Sequence, residues 1–497
     1  MILCSNFKSH NKSKAWIALV ILGLAVSFLL ISKTSISSLF PRILFNPQNT
    51  TPASELNGSN PTYLPLVNLQ KEAYFVSPNG SDSNPGTVNK PWRTLSHAAE
   101  RINAGDTLYI RGGTYHESFI IYNSGTQTSP IVVTNYSNEE VIIDGMNMTF
   151  PAHKSGTPLI ELVGDWITVS NLTVSNSGEY GVTIEGNHDV VDNLYVHHSW
   201  GNGVTLQGNY ALAQNMRLWS NSMKNEGGIL PVSWGAGITC ARYPDYCTIR
   251  KSVSWDNWGE GISTFEALHT TIEDNISYNN MSNYYISDTK YTVVQRNLAY
   301  YTPGTVMDFT ITCGILVGDE LGVPIPLGSR GTRYPSSDNI FINNILIGGN
   351  HTLMTDTSVN TNNLFANNTF SNSDGNTNEP VNVLLNPGTC TNCRFINNIV
   401  IQNDDRQIIS VEGTGFILSN NLWSKTPPHE ASGPGDIIGD PRFTQTGDPY
   451  SPEWFKLTSI SPAIGSGLTL PEVTGDYFNK IRSAPPDIGA IEFLIPP

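Results

Sequence analysis

Charged residues are scarce in this 497-residue chain: they make up only 14% of it, and the 27 basic residues are outnumbered by 42 acidic ones. The formal net charge of −15 excludes a non-specific nucleic-acid binder, which needs a basic face to displace phosphate counterions. The same charge disfavours an anionic glycan unless a cation or a local basic patch intervenes. Because 39% of the residues are hydrophobic, the low charge content does not indicate disorder.

Cysteine is also rare, and only two of the possible pairs lie close together in the sequence. Cys240 and Cys247 flank a short loop that a disulfide can close. Cys390 and Cys393 have the spacing of a zinc knuckle, but no second Cys or His pair accompanies them. Disulfides or free thiols are therefore expected at these positions rather than zinc.

Long hydrophobic runs are missing except at residues 15–31, an apolar stretch just long enough to span a bilayer. Lysines precede this stretch, so the positive-inside rule places the N-terminus in the cytoplasm. The stretch is either a membrane anchor or a cleaved signal peptide, and in both cases the rest of the chain is exported. We expect a cytoplasmic tip and signal-anchor helix at residues 1–32 and a flexible linker at residues 33–72. The protein is then membrane-anchored and faces the cell exterior, or is secreted after signal cleavage.

A helical period of 3.6 residues is absent from the remainder of the chain, which excludes an α-solenoid. Instead, an asparagine followed by an apolar residue recurs every 22 to 24 residues, with longer gaps where loops intervene. Such a period predicts a coil of three short strands, stacked on the next coil about 4.8 Å away. Stacked asparagines can bond to one another and are expected to form an internal column. The marker residues are Asn171, Asn193, Asn215, Ser252, Asn275, Asn297, Asn344, Asn368, Asn398 and Asn421.

The two ends of the repeat region carry a family resemblance. The runs YFVSPNGSDSNPG at 74–86, KPWRTL at 90–95 and AGDTLYIRGGTY at 104–115 resemble the start of exported proteins of the pectin-lyase-like superfamily. The runs DPRF at 440–443, SPAIG at 461–465 and DIGAIE at 487–492 resemble their closing segment. The resemblance implies an all-β fold over residues 73–497. That fold is a right-handed parallel β-helix, a single solenoid with an N-terminal cap whose helix lies at residues 95–102, preceded by the transmembrane or signal segment.

The resemblance does not assign a reaction. The polygalacturonase pattern of NTD, DD, GHG and RIK is absent, as is the YG(V/I)DPH run of epimerases. The superfamily includes polysaccharide lyases, hydrolases and tailspikes, so the fold alone does not supply the chemistry.

Acidic residues cluster in the coils between residues 200 and 335, where two long loops interrupt the repeat. The candidate catalytic residues are Glu260, Glu266, Asp288 and Lys290. A lyase needs a base to remove the proton next to a carboxylate, and often calcium to neutralise that carboxylate. Lys290, together with Asp256, Glu260 and Asp288, can serve these roles, and calcium is the candidate cofactor. A hydrolase instead needs two carboxylates, Glu260 with Glu266 or Asp288. Both reactions compete with a plainer interpretation, in which these residues are solvated strand ends.

Tryptophans recur in the motifs WGNG at 200–203, WGAG at 234–237 and WGEG at 258–261. Trp200, Trp234 and Trp258, with Arg242, are the candidate substrate-binding residues, because sugar rings pack on aromatic faces. A stacked column packing the corner of the coil would repeat in the same way, so both interpretations remain open. We expect a polysaccharide-cleaving protein, and the alternatives are a non-catalytic glycan-binding or adhesion module and a structural spacer.

Overall fold

The structure is a computed structural model, and its described residues leave several gaps. They are 71–146, 148, 157–226, 235–303, 312–319, 335–357, 359–375, 381–386 and 388–494. The predicted anchor and the linker up to residue 70 lie outside these residues. Among the residues that are described, no helix is long and apolar enough to cross a membrane.

The described chain winds through three parallel sheets, which contain 14, 13 and 11 strands. The first sheet comprises Ala73–Val76, Thr107–Ile110, Ile131–Asn135, Ile167–Ser170, Val190–Asp192, Leu212–Gln214, Thr248–Arg250, Thr271–Glu273, Val293–Gln295, Ile340–Ile342, Val359–Thr361, Leu364–Ala366, Thr389–Ile396 and Thr414–Ser419. The second comprises Gly113–Tyr115, Val141–Asp144, Thr173–Ser175, Tyr195–His197, Arg217–Trp219, Val253–Trp255, Ile276–Tyr278, Leu298–Tyr300, Ile345–Ile347, Thr369–Ser371, Ile399–Ile401, Leu422–Trp423 and Ile437–Ile438. The third comprises Phe119–Ile121, Pro158–Leu162, Tyr180–Ile184, Val204–Leu206, Ala236–Ala241, Glu260–Phe265, Ser282–Ser287, Cys313–Gly318, His351–Asp356, Val381–Asn386 and Gln407–Val411.

Most coils contribute one strand to each sheet, and these strands pair with their counterparts in the next coil. Val191, for example, pairs with Ala213, which pairs with Ile249. All three side chains are fully buried. Burial of each aliphatic side chain contributes roughly 1.5–3 kcal/mol, so the column of inward residues holds successive coils together. The predicted parallel β-helix is confirmed.

The coil is capped at its N-terminal end by the helix Leu95–Ala99. Thr94 caps this helix, since its hydroxyl accepts a hydrogen bond from the backbone N–H of His97 at 3.3 Å. The helix is shorter than the predicted 95–102: it ends at Ala99 with Glu100 as its C-cap, and Asn103 N–H then donates to Asp106 Oδ2 at 2.8 Å. Ile102 is nevertheless fully buried.

The corner between the first and second sheets has two adjacent positions, and the predicted Asn column divides between them. From Ser252 to Asn421 the markers occupy the inner position and are buried. Asn193 and Asn215 instead occupy the outer position, where they are exposed and left-handed, with φ of 54° and 57°. The prediction that these two align vertically with Asn275 is therefore wrong. Asparagine suits both positions, since it tolerates a left-handed backbone and its amide satisfies buried polar groups.

The C-terminal residues return along the outside of the coils and cover the outer position in the last turns. Asn343 Nδ2 donates to the carbonyl of Gly475 at 2.9 Å, and Asn397 Nδ2 donates to that of Leu468 at 2.8 Å. Arg482 joins this closing segment to the coils, because it bonds Asn343 Oδ1 at 2.7 Å and Glu492 at 3.0 Å.

Both sequence-adjacent cysteine pairs are disulfides, Cys240–Cys247 and Cys390–Cys393. The zinc alternative for Cys390 and Cys393 is therefore wrong. Cys313 is buried in the third sheet and belongs to neither disulfide.

Candidate functional site

The outer face of the third sheet carries a row of hydroxyl groups. Side chains alternate along each strand, so Val182 and Ile184 face the core while Thr183 faces outward. Counterparts of Thr183 in the next four coils also bear hydroxyls. This hydroxyl row consists of Thr183, Thr205, Thr239, Ser263 and Tyr285, which are paired strand by strand.

A pocket of ≈ 270 Å³ opens on this face. Thr239, Ser263 and Tyr285 of the hydroxyl row line it, together with Glu260 at the start of its strand. Its remaining lining residues are Asn202, Gly235, Ala236, Ala241 and Phe265. The pocket therefore combines hydroxyls and one carboxyl group with apolar walls, as sites for small polar ligands generally do. We refer to it as the third-sheet pocket.

Glu260 is 4% exposed, and its carboxylate is one of two that act on the ammonium of Lys224. Burial lowers the pKa of the Lys224 ammonium, while the carboxylates of Glu179 and Glu260 act in the opposite direction. A lysine in such surroundings is more readily deprotonated than one in water, which is the state a general base needs. Lys224 lies in the short 3₁₀ helix Met223–Asn225, within the first long loop.

Other predicted residues form a separate column at the far end of the strands. Arg242, Glu266 and Asp288 stack in successive coils, each in a left-handed conformation just after its strand ends. The Asp288 carboxylate accepts a hydrogen bond from Ser287 Oγ at 2.8 Å. Arg242 is exposed.

The length of one strand separates this column from Glu260. Glu260 begins the strand Glu260–Phe265 and Glu266 follows it, so their Cα atoms are about 20 Å apart at ~3.3 Å per residue. Hydrolases place their two carboxyl groups roughly 5–9.5 Å apart. The predicted hydrolase pair of Glu260 with Glu266 or Asp288 is therefore wrong, although each residue alone remains a candidate.

Lys290 lies beyond this column and contacts residues beside the first sheet. Its ammonium lies 3.0 Å from Asp338 Oδ2 and 5.3 Å from the centre of the Tyr291 ring. These contacts hold it beside the first sheet, away from the start of the strand that carries Glu260. Lys290 was predicted from the sequence and Lys224 was not, although the long loop and its basic residue are visible in the sequence.

The three repeated tryptophans do not share one environment. Trp200 is 52% exposed, Trp258 is partly buried, and Trp234 lies outside the described residues. Stacked columns do run along the helix axis, but other residues form them, with ring centres 4.1–5.9 Å apart. One contains Trp166, His188, Tyr210, Tyr246, His269 and Tyr291, and the other His197, Trp219, Trp255, Tyr278, Tyr300 and Tyr450.

A metal site is not evident from acidic, histidine or cysteine side chains: within the described ranges, no three of them converge. Asp256, Glu260 and Asp288, the suggested calcium ligands, lie at different corners of the coil. Asp256 follows the second-sheet strand Val253–Trp255, whereas Glu260 and Asp288 lie at opposite ends of third-sheet strands.

Comparison with known proteins finds similarity to right-handed β-helix proteins over part of the chain. A family model described as a Pel9A-like, right handed beta helix region matches residues 74–280. The chain is 47% identical over 103 residues to the uncharacterized protein YwoF of Bacillus subtilis, covering 20% of this chain and 22% of YwoF. It is 30% identical over 190 residues to pectate lyase L of Paenibacillus polymyxa, covering 37% and 40% of the two chains. The aligned regions thus span less than half of either relative.

The solved structure of pectate lyase Pel9A matches over a much longer region. It covers 85% of this chain and 97% of Pel9A, with a TM-score of 0.51 and 18% sequence identity. At this identity the match shows the shared fold.

Proposed function

Taking as the premise that this chain is a β-helix protein of the pectin-lyase-like superfamily, we propose that it is a polysaccharide lyase. It cleaves an acidic polysaccharide by β-elimination in the third-sheet pocket. The observation that carries the proposal is a pocket on the outer face of the coil that Glu260 lines, together with the electrostatic effect of the Glu260 carboxylate on the ammonium of Lys224. The names of pectate lyases among its relatives support the same reaction class.

Lys224 acts as the base. Its amine removes the proton from the carbon next to the substrate carboxylate, the electron pair forms a carbon–carbon double bond, and the bond to the leaving sugar oxygen breaks. The leaving oxygen takes up a proton from water. Glu260 positions the Lys224 amine, and the hydroxyls of Thr239 and Ser263 offer hydrogen bonds to the sugar. Arg242, near the opposite end of the pocket, supplies positive charge for an anionic chain.

Hydrolysis is the less favoured reaction, because the predicted carboxylate pair is separated by the length of a strand. Calcium has no role in the proposed step, because the suggested ligands Asp256, Glu260 and Asp288 do not gather around the pocket. Local positive charge from Arg242 instead counters the net charge of −15.

Export is part of the proposal. The two disulfides favour an oxidising compartment, and the apolar stretch at residues 15–31 provides an anchor or a signal. We place the β-helix outside the cell, either tethered to the membrane or released.

Pectate, the substrate in the relatives' names, is the first polymer to test. A lyase raises ultraviolet absorbance through its unsaturated product, whereas a hydrolase raises reducing ends without that absorbance. Lys224→Met should lower the rate by about 10²-fold or more. Lys290→Met is the matched control and should leave the rate unchanged. Full activity of Lys224→Met, or reducing ends without absorbance, would contradict the proposal.

A glycan-binding module without catalysis is the second candidate, and the 52% exposure of Trp200 favours it. Tight pectate binding without product, lost on Trp200→Ala in a folded protein, would support this alternative.

A further inference from the structure

Two carboxylates and one hydroxyl lie together on the outer face of the third sheet, below the pocket. Glu161 pairs with Thr183 in the next coil, and Glu185 lies two residues beyond Thr183 on the same face. Their core-facing neighbours, Ile160 and Ile184, are fully buried, which fixes the outward direction of the three side chains. Neighbouring strands are about 4.8 Å apart, so side chains of this length can reach a common point.

The two carboxylates affect each other. Burial raises the pKa of the Glu161 carboxyl group, and the negative charge of Glu185 raises it further. Without a positive partner this pair is unfavourable, since like charges in a partly buried setting repel.

The hydroxyl group of Thr183 is evidence for a ligand at this position that does not depend on the two carboxylates. Thr183 is only 3% exposed, yet its Oγ1 has no hydrogen-bond partner. Thr205, directly above it in the hydroxyl row, does have a hydrogen-bond partner: its Oγ1 accepts a hydrogen bond from Asn202 Nδ2 at 3.0 Å. A buried hydroxyl without a partner costs about 1–3 kcal/mol, so its retention between two carboxylates points to a missing ligand.

We propose that Glu161, Thr183 and Glu185 bind a divalent, oxygen-preferring cation of the calcium type. Carboxylate and neutral oxygen ligands suit calcium, and Glu185 is exposed, which leaves room for water ligands. The cation relieves the repulsion between the carboxylates, gives the Thr183 oxygen a partner and ties two successive coils together. The site lies two coils from Thr239 in the pocket, and binding does not depend on the proposed lyase reaction.

The full-length protein, treated with chelator and then dialysed, should bind Ca²⁺ in a calorimetric titration and show a raised midpoint of thermal unfolding. Glu161→Gln, Glu185→Gln and Thr183→Val should each weaken this binding by roughly tenfold or more, because each removes a ligand. Thr205→Val is the matched control and should bind Ca²⁺ like the wild type. The Val variants keep the side-chain shape, and circular dichroism without Ca²⁺ verifies that each variant is folded.

Absence of Ca²⁺ binding by the wild type would overturn the proposal, as would wild-type affinity in Glu161→Gln and Glu185→Gln. Weakened binding in Thr205→Val equal to that in Thr183→Val would exclude Thr183 as the specific ligand. The titration contains no polysaccharide, so its result does not depend on the proposed lyase reaction. Failure of the lyase proposal therefore leaves the Ca²⁺ proposal standing, and failure of the Ca²⁺ proposal leaves the lyase proposal standing.

Discussion

Asn275 and Asn297 are bonded twice through a single oxygen: Asn297 Oδ1 accepts from the backbone N–H of Asn275 at 3.0 Å and from its Nδ2 at 3.1 Å. Asn297 in turn donates to the carbonyl of Ile272 at 2.9 Å and to Asn344. Each inner asparagine therefore satisfies backbone groups that the corner would otherwise leave without partners.

Replacing one inner asparagine should destabilise the whole coil. Asn297→Ala leaves the backbone N–H of Asn275 and one N–H of its side-chain amide without their shared acceptor, and each costs about 1–3 kcal/mol. We expect the free energy of unfolding in urea to fall by roughly 2–5 kcal/mol. Asn193→Ala, at the exposed outer position, is the control and should change it far less. Equal losses in the two variants would contradict the division of the corner into two positions.

The aromatic columns predict which tryptophans matter for stability. Trp255 stacks between Trp219 and Tyr278, with ring centres 5.1 and 5.9 Å away. Trp255→Ala should therefore lower the free energy of unfolding by roughly 2–4 kcal/mol. Trp200→Ala, in a half-exposed setting, should have little effect on stability in the same urea titration. A larger loss from Trp200→Ala than from Trp255→Ala would refute this assignment.

Asp189 should make stability depend on pH. It is fully buried, and burial raises its pKa from the ordinary 3.8 to about 8, with a smaller contribution from Asp165. Between pH 4 and 8 the folded protein keeps a proton that the unfolded chain releases, so the penalty from Asp189 grows as pH rises and is complete above pH 8.

Asp189→Asn removes this penalty. The difference in unfolding midpoint between the variant and the wild type should therefore be smallest near pH 4 and should increase in favour of the variant up to pH 8. Midpoints measured by circular dichroism at intervals across this range provide the check. A difference that stays constant with pH would show that Asp189 keeps an ordinary pKa.

The buried pair of Arg482 and Glu492 should hold the closing segment in place. Both side chains are 3% exposed. Arg482→Met leaves the Glu492 carboxylate buried without its cation, which typically costs about 3–5 kcal/mol. Hydrogen exchange should become faster at residues 466–492 first. The double variant Arg482→Met, Glu492→Gln should recover part of the loss. Unchanged exchange in the single variant would contradict this role.

The repeat and the stacking of coils were predictable because asparagine and alternating apolar residues recur at a fixed spacing. The sequence could not separate inner from outer asparagines, because the positions are adjacent and the same side chain suits both. The site was harder to predict. Glu260, predicted as a catalytic residue, lines the third-sheet pocket, but its supposed partners Glu266 and Asp288 follow the other ends of their strands. Lys224 was missed because it lies in a loop, where the repeat gives no register.

The C-terminal closing segment can pack in place only after the coils that it covers have formed. Coils stack through pairings about 22 residues apart, so they can assemble one after another along the chain. The bond between Asn343 and Arg482 spans 139 residues and forms only when the end of the chain is available. A chain cut short before Arg482 keeps its coils and loses the cover over their last turns, exposing asparagine edges that another molecule can pair with. The contacts of Arg482 thus complete the cover of the last described coils after those coils have formed.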